Sequence, residues 1–447
     1  MSSEVPALPE KYPSQTSGRR RLLIGVISTL IMLLAGGGLG WHQYQSWQRR
    51  QFEKTCRTAR DKYNWDAEYG AAMAWTAQFP ADPDAWLFLG EAAAKLEKFE
   101  EARDALAKVP DTDSRFLLTQ LQKAGLEWNE LNEPRTAVAT YRDIIQRDSR
   151  ILEAHAHVIA FHAFLMERRE MLDAIRTAIA AGAEPRDAYS YLTLADKINV
   201  SNGRQIVQRW LAADGNDARF KVSMAVRTAE QIVMTADVEV KEESTAREAE
   251  ALFRLEEFVK VYPQDLVLLS FLLDYYVEQG KVADVGRLLA LAPESASKDH
   301  KFWVHRGWYH LTTEDLAEAE KSFQEALKIH PMSAEGRHHY SAVMRLLKRP
   351  EQDVQKMQSL AAEGREIRKQ VLQLKSSDAI TEEILTRLAK YAEACGDTEV
   401  HQALLKRTQS PSSSPVLNSP ATDPAKGDQD QSQDGQPQGD KDAGDGN

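Results

Sequence analysis

Histidine is the chemistry-bearing residue that clusters most clearly in this chain. Six of the eleven histidines lie close together in sequence: His300, His305, His310, His330, His338 and His339. Imidazole ligates metals when neutral and titrates near neutral pH. Such a cluster is therefore a candidate for metal binding, proton transfer or pH switching. None of the six forms an i, i+4 pair, the spacing that places two imidazoles on one helical face. The spacing therefore favours surface and packing roles, and leaves open that histidines from different helices converge.

Sequence motifs of established catalytic chemistry are absent from the chain. It contains no GxSxG elbow, Walker loop, HExxH pair or strand–glycine–helix dinucleotide pattern. Cys56 and Cys395 are too few and too far apart for a disulfide framework, and no CxxC zinc spacing occurs. The formal net charge of −11 argues against a nucleic-acid binder, which needs a basic surface for phosphates. We expect no enzyme activity, cofactor, metal or nucleic-acid partner.

A helix-pair pattern of about 34 residues contains most of these histidines. Its clearest unit starts at His300, has Trp303 and Gly307 on its first helix, and closes at Pro331. The second helix carries Ala319, Phe323 and Ala326. Small residues allow two helices to approach closely, and large ones fill the space beside them. Proline cannot continue a helix, so Pro331 marks the turn into the next unit.

The same register appears in two other stretches, residues 83–110 and 118–149. Its members there are Trp86, Leu89, Gly90, Ala102, Leu106, Leu121, Ala124, Gly125, Trp128, Ala137, Tyr141 and Ile144. Residues 152–235 are helical by pattern, but their repeat is degenerate. Residues 47–80 and 379–407 resemble irregular first and last pairs. Because no alternating strand pattern persists, we predict an all-α fold.

This pattern resembles the tetratricopeptide repeat (TPR) family. The resemblance implies an α-solenoid over residues 47–407, a right-handed superhelix of about eight or nine helix pairs. In that family, positions 2, 5, 9, 12 and 13 of each first helix line a partner-binding groove. These positions give the candidates Leu87, Glu91, Lys95, Gln122, Leu126, Asn129, Glu130, Ser270, Asp274, Val277, Lys301, Val304, Trp308, Leu311, His338 and Arg345. Trp308 is the strongest candidate anchor, since aromatic side chains often dominate binding energy; alternatively, it packs on the neighbouring pair.

The N-terminal part of the sequence has the pattern of a membrane anchor. Residues 22–40 form an apolar run without a charge, close to the length that spans a bilayer, and follow a short basic tail at 1–21. The alternative is a cleaved signal peptide, but no A-x-A-like site follows the run. The basic triplet Arg19 to Arg21 favours a cytoplasmic N-terminus and extracytoplasmic repeats, periplasmic in a bacterium, whereas the basic residues between Arg49 and Arg60 favour the opposite orientation. Gly36 and Gly40 form a small-xxx-small pair through which two such anchors would pack.

The C-terminal residues 408–447 have a different composition from the repeats. They are rich in Ser, Pro, Gln, Gly and Asp, and contain almost no large apolar side chain. Such a segment cannot bury enough apolar surface to offset the entropy cost of folding. We therefore predict a disordered acidic tail.

Together these patterns predict a non-catalytic, membrane-tethered scaffold that gathers protein partners in a membrane or cell-envelope complex. One alternative is a self-assembling structural membrane protein, associating through Gly36, Gly40 and the repeats. Another is an enzyme whose catalytic residues are scattered over the irregular residues 152–235.

Overall fold

The computed structural model describes residues 40–200, 202–236 and 241–409, and all regular secondary structure in these ranges is helical. Helix α1 covers residues 40–61. The helices that follow are α2 (Trp65–Gln78), α3 (Pro83–Lys95), α4 (Phe99–Leu106), α5 (Phe116–Asn129), α6 (Pro134–Arg147), α7 (Leu152–Phe164), α8 (Arg168–Ala181), α9 (Arg186–Thr193), α10 (Gly203–Ala213), α11 (Ala218–Ala236), α12 (Lys241–Val261), α13 (Leu266–Glu278), α14 (Val282–Leu291), α15 (His300–Thr312), α16 (Leu316–Ile329), α17 (Ala334–Leu346), α18 (Glu351–Leu372), α19 (Glu382–Cys395) and α20 (Thr398–Gln409). Short 3-10 helices cover Glu294–Lys298 and Ser377–Ala379. The predicted all-α fold of TPR-like helix pairs is confirmed for these residues.

Capping residues place the helix starts. Seven helices begin after a side chain that accepts a hydrogen bond from a backbone N–H of the first turn: Asn64, Asp82, Asp265, Asp299, Asp315, Ser333 and Thr381. These bonds satisfy amide groups that have no partner inside a helix. Proline is the first residue of α3 and α6, where its missing N–H costs nothing.

One backbone feature marks the repeat more regularly than the sequence does. In eight turns between paired helices, a residue adopts the left-handed conformation: Tyr63, Glu97, Asn132, Met166, Gly280, Glu314, Lys348 and Gly396. The first four follow one another at intervals of 34, 35 and 34 residues, and Gly280, Glu314 and Lys348 at intervals of 34. Six of these eight residues are not glycine, so sequence gives little sign of the shared turn. The 34-residue period is therefore a property of the backbone.

The period fails between Met166 and Gly280, which are 114 residues apart, not a multiple of 34. Here α9 has only 8 residues, whereas α11 and α12 have 19 and 21. Helix α9 packs against α7, α8 and α18, and α10 packs against α7 and α11. The degenerate sequence pattern of residues 152–235 thus accompanies a departure from regular stacking.

The chain divides into two compact units, Met1–Lys123 and Ala124–Asn447. The core of the first is formed by Cys56, Ala72, Trp75, Phe79, Ala85 and Phe88. Asp82 caps α3 and also accepts a hydrogen bond from Trp75 Nε1 at 3.1 Å. Cys56 is a free buried thiol, and Cys395 in the second unit is also free.

The second unit contains the strongest sequence repeat, and its packing explains the small residues of the pattern. A Cβ atom added to Gly307 of α15 would lie 2.7 Å from the ring of Phe323 on α16. Phe323 is fully buried, so its ring cannot move aside freely. Gly307 is therefore required by the close approach of the two helices.

The predicted single-pass membrane localisation is corrected by the structure. Within residues 40–200, 202–236 and 241–409, no helix is both long enough and apolar enough to cross a bilayer. The longest helices, α1, α12 and α18, each carry several charged side chains, and the apolar α13 has only 13 residues where about 20 are needed. The predicted anchor, except Gly40, lies outside the described residues, as do residues 1–21, Gly36 and the tail from 410 to 447.

We predict that Gly307→Ala lowers the free energy of unfolding by about 1–3 kcal/mol, because the new methyl group overpacks the Phe323 ring. Alanine is favoured over glycine in a helix by about 1 kcal/mol, so the loss reports packing and not helix propensity. Urea unfolding followed by circular dichroism measures the change.

Gly125→Ala is the matched control, because Gly125 lies within α5 and a Cβ there meets no atom within 4 Å. It should raise the free energy of unfolding by about 0.5–1 kcal/mol. If both variants shift stability in the same direction, the packing explanation is wrong.

Candidate functional site in the repeat groove

A stretch of the second unit, residues 168–198, runs past the first helices of later repeats; we call it the crossing segment. It contains α8, α9 and the turn after α9. Its apolar side chains share one core cluster with residues of α18 and α19: Tyr189, Leu192, Ile198, Ile367, Leu385 and Leu388. The crossing segment therefore packs against helices α18 and α19, which lie far from it in sequence.

Arg168, the first residue of α8, is the first polar contact of the crossing segment. Its side chain is buried and donates to the Ser270 hydroxyl on α13 at 3.0 Å and to the Ala195 carbonyl at 2.6 Å. It also pairs with Asp299 at 3.4 Å. One guanidinium thus joins both ends of the crossing segment to α13 and to the start of α15.

Asp196, in the turn after α9, is the second contact. Its Oδ1 accepts hydrogen bonds from Ser333 Oγ at 2.7 Å and from His300 Nε2 at 3.1 Å. Its Oδ2 accepts from the Glu335 backbone N–H at 3.1 Å. Burial by itself would raise the pKa of Asp196, but the hydrogen bond from His300 and the nearby positive charges hold that pKa below its ordinary value. Asp196 is an ionised carboxylate at the start of two helices.

Lys301 is buried and pairs with two carboxylates of the network. Its ammonium contacts Asp274 Oδ1 at 2.8 Å and pairs with Glu335. Burial by itself would lower the pKa of Lys301, but the carboxylates of Asp274 and Glu335 raise it above its ordinary value. Asp274 also accepts from His305 Nε2 at 2.8 Å, so α13, α15 and α17 are joined through charged groups.

The crossing segment makes ion pairs with the last repeat as well. Arg176 contacts both carboxylate oxygens of Asp397 at 2.7 and 2.5 Å. Arg186 donates to Glu382 at 2.8 Å and to the Ile380 carbonyl at 2.7 Å, where α19 begins. The contacts of the crossing segment thus extend from α13 to α20.

Two capping residues serve both local and distant structure. Asp299 caps α15 through the Lys301 N–H and also pairs with Arg168. Ser333 caps α17 by accepting from the Gly336 N–H and donates its own proton to Asp196. The same side chains that start the helices therefore hold the crossing segment against them.

The structure places the predicted groove residues of this unit in three environments. Ser270, Lys301 and Val304 are buried, and Asp274 lies in the charged network. Trp308, Val277 and Leu311 are half-buried, with Trp308 and Val277 packed on the α13–α14 core cluster and Leu311 on the α15–α17 cluster. Asn129, Glu130, His338 and Arg345 are exposed, and Leu126 is half-buried.

The groove residues of the first unit are more accessible. Leu87 is half-buried, Gln122 and Lys95 are exposed, and Glu91 forms an ion pair with Arg60 at 2.7 Å. Partner binding by any of the predicted groove positions stays a prediction.

Sequence reasoning did not single out Arg168 or Asp196. Their partners lie 131 and 104 residues away in Asp299 and His300, and neither residue carries a local motif. A lone charged residue in a degenerate helical stretch resembles a solvated surface residue. Only the packing of the crossing segment brings these groups together.

Two histidines from different helices, His300 and His330, do converge, which is the possibility that the sequence spacing left open. His300 begins α15, and His330 follows α16. Their ring centroids are 4.7 Å apart. Nδ1 of His300 and of His330 is buried without a hydrogen-bond partner in the described residues. Burial lowers the pKa of His330 well below its ordinary value, so this imidazole is neutral at pH 7.

We predict that Arg168→Met lowers the free energy of unfolding by about 3–5 kcal/mol, because it leaves the buried Asp299 carboxylate without its guanidinium partner. Methionine keeps most of the apolar stem, so the loss reports the charge and its hydrogen bonds. Urea unfolding of the purified chain measures the change.

The adjacent substitution Arg169→Met is the control, since Arg169 pairs with its neighbour Glu170 near the surface. Its effect should stay within about 0.5 kcal/mol. Equal losses in the two variants would show that the crossing segment is not held by Arg168.

Comparison with known proteins agrees with the repeat geometry at one place in the chain. Residues 300–331 match the sequence model of the tetratricopeptide repeat family. No match is found among curated proteins. The matched residues are α15, α16 and the turn that ends at Pro331.

Several solved structures are similar to this chain at low identity. A tetratricopeptide repeat protein from Parabacteroides merdae is 14% identical, with 66% of this chain and 98% of that chain covered and a TM-score of 0.25. Yeast Tom70 is 10% identical, with coverages of 81% and 76% and a TM-score of 0.25. The human IFIT1 dimer is 14% identical, with coverages of 86% and 85% and a TM-score of 0.29. The family match and the helix-pair geometry together establish that this chain carries a tetratricopeptide repeat at residues 300–331.

Proposed function

We propose that this protein is a non-catalytic scaffold that binds protein partners on the accessible first-helix surface of its repeats. The observation that carries the proposal is the division of that surface into a covered and an open part. On α15 and α17, the side chains near the helix starts are buried in the polar network, as Lys301 is. Those further along α17, His338 and Arg345, are exposed.

The open part has a defined chemistry. Arg345 carries a guanidinium and Leu346 exposes 57% of its surface to solvent, while the half-buried Trp308 lies on the neighbouring α15. Arg345 offers a cation and Leu346 an exposed apolar side chain, and such a surface suits a partner segment that combines a carboxylate with an apolar residue. We therefore propose a peptide or helix of acidic and apolar character as the partner.

The polar groups in the covered part of the surface favour a binding function over a catalytic one. Asp196, Asp274 and Lys301 are each engaged in ion pairs or hydrogen bonds with other repeats. The Ser270 hydroxyl accepts from Arg168, and the Ser333 hydroxyl is used in capping. Groups held in this way position helices and are not poised to attack a substrate.

The first test is site-specific photo-crosslinking in cells that express the full chain. A photoreactive amino acid at Arg345 should give defined crosslinked species with a second protein, identified by mass spectrometry. The control position is Lys328 on α16, whose side chain is 75% exposed but lies on a second helix. Crosslinking at Lys328 equal to that at Arg345, or none at Arg345, would overturn the proposal.

A charge reversal gives a second test on the same surface. Arg345→Glu should reduce recovery of that partner by about 10-fold or more, because a carboxylate of the partner would then face a like charge. Lys328→Glu should leave recovery unchanged. Unchanged recovery in both variants would show that the partner binds elsewhere on the chain.

A further inference from the structure

Asp196, His300 and His330 form a compact buried group in the second unit. One possible ligand atom from each, a carboxylate oxygen and two imidazole nitrogens, lies within 4.8 Å of the other two. Both histidine side chains are at most 2% exposed. The three residues come from the α9 turn, the start of α15 and the end of α16, so no single helix supplies the arrangement.

The distances agree with coordination by a small divalent cation. His300 Nε2 lies 3.1 Å from Asp196 Oδ1. Two ligand atoms held at about 2.0–2.1 Å from a tetrahedral ion are separated by about 3.3 Å. An ion would take the place of the proton between His300 and Asp196, and a movement of the His330 ring, whose ligand nitrogen lies within 4.8 Å of both atoms, would complete three ligands.

The surroundings hold the ligands as the neighbours of a metal site do. Ser333 Oγ and the Glu335 N–H fix both oxygens of Asp196. Asp299 Oδ1 lies 3.8 Å from Nδ1 of His300, on the side of the ring away from Asp196. A carboxylate behind a ligating imidazole orients the ring and raises its basicity. The unpartnered Nδ1 of His300 would gain a hydrogen bond by a slight rotation towards Asp299.

The local charge also accommodates a cation. Within the hydrogen-bonded network, four carboxylates (Asp196, Asp274, Asp299 and Glu335) face two permanent cations, Arg168 and Lys301. These cations oppose a metal ion by repulsion, but each is held by carboxylates other than Asp196.

We propose that Asp196, His300 and His330 bind one divalent transition-metal ion of the Zn²⁺ type, which fastens the crossing segment to the repeat at residues 300–331. Two imidazoles and one carboxylate suit Zn²⁺ or Co²⁺ and not Ca²⁺ or Mg²⁺, which prefer oxygen ligands alone. The ion joins the turn after α9 to the start of the first helix and the end of the second helix of that repeat. Its role is structural, since it bridges Asp196 to two histidines that lie more than a hundred residues further along the chain.

The test uses the full chain, stripped of metal with a chelator. Isothermal titration with Zn²⁺ should show one site per chain, and Co²⁺ should give the visible absorption of a four-coordinate nitrogen–oxygen site, with a solvent oxygen as the fourth ligand. Zn²⁺ should raise Tm, because the ion binds the folded state alone. Absence of the Co²⁺ band and of Zn²⁺ binding in the unmodified chain would overturn the proposal, whatever the variants do.

Variants then assign the ligands. His330→Asn and Asp196→Asn should abolish the Co²⁺ band, and Ser333→Ala should weaken binding by about 10- to 100-fold, because it frees the Asp196 carboxylate. The matched control is His310→Asn, a half-exposed histidine on the same helix α15. Retention of the band in His330→Asn and Asp196→Asn, each folded by circular dichroism, would place the ion elsewhere and contradict the assignment.

Discussion

The second unit depends on the placement of buried charges between the crossing segment and the starts of the first helices. Arg168 and Asp196 contact groups at the ends of α13, α15 and α17. Apolar burial in the shared core supplies most of the favourable free energy, but it has little directional preference. The charged groups have such a preference, because each would be left unpaired if the crossing segment moved by one turn. Buried ion pairs of this kind add little net stability, but loss of one partner is strongly destabilising because it leaves a buried charge unpaired.

Regular and irregular parts of the chain then have different roles. The 34-residue turns bring α13 to α17 into register, so that the helix starts lie in a row. The irregular residues between Met166 and Gly280 supply α8, α9 and the turn after α9, from which Arg168 and Asp196 contact those helix starts. Asp299 and Ser333 each have two roles, since each caps its helix and also contacts the crossing segment. On α17 the side chains left exposed include His338 and Arg345.

The six clustered histidines occupy several different environments in the structure. Of its six members, His300 and His305 pair with carboxylates, and His330 lies beside His300. His338 is exposed and belongs to the open surface. Neighbours in sequence thus occupy unrelated environments, because successive residues of a helix point to different sides. The pattern of histidines alone could indicate neither the convergence at Asp196 nor the exposure at His338.

The sequence by itself determined the helical class, the repeat at residues 300–331 and the need for a small residue at Gly307. These follow from local periodicity, capping and the close approach of adjacent helices, all of which act over a few turns. Only the tertiary structure decided which first-helix positions remain accessible to solvent. Lys301 and Ser270 occupy such positions and are buried. That outcome depends on Arg168 and Asp196, whose partners are more than a hundred residues away. Contacts at such separations depend on the summed geometry of many helix pairs, and one irregular helix such as α9 changes that geometry without a local signal.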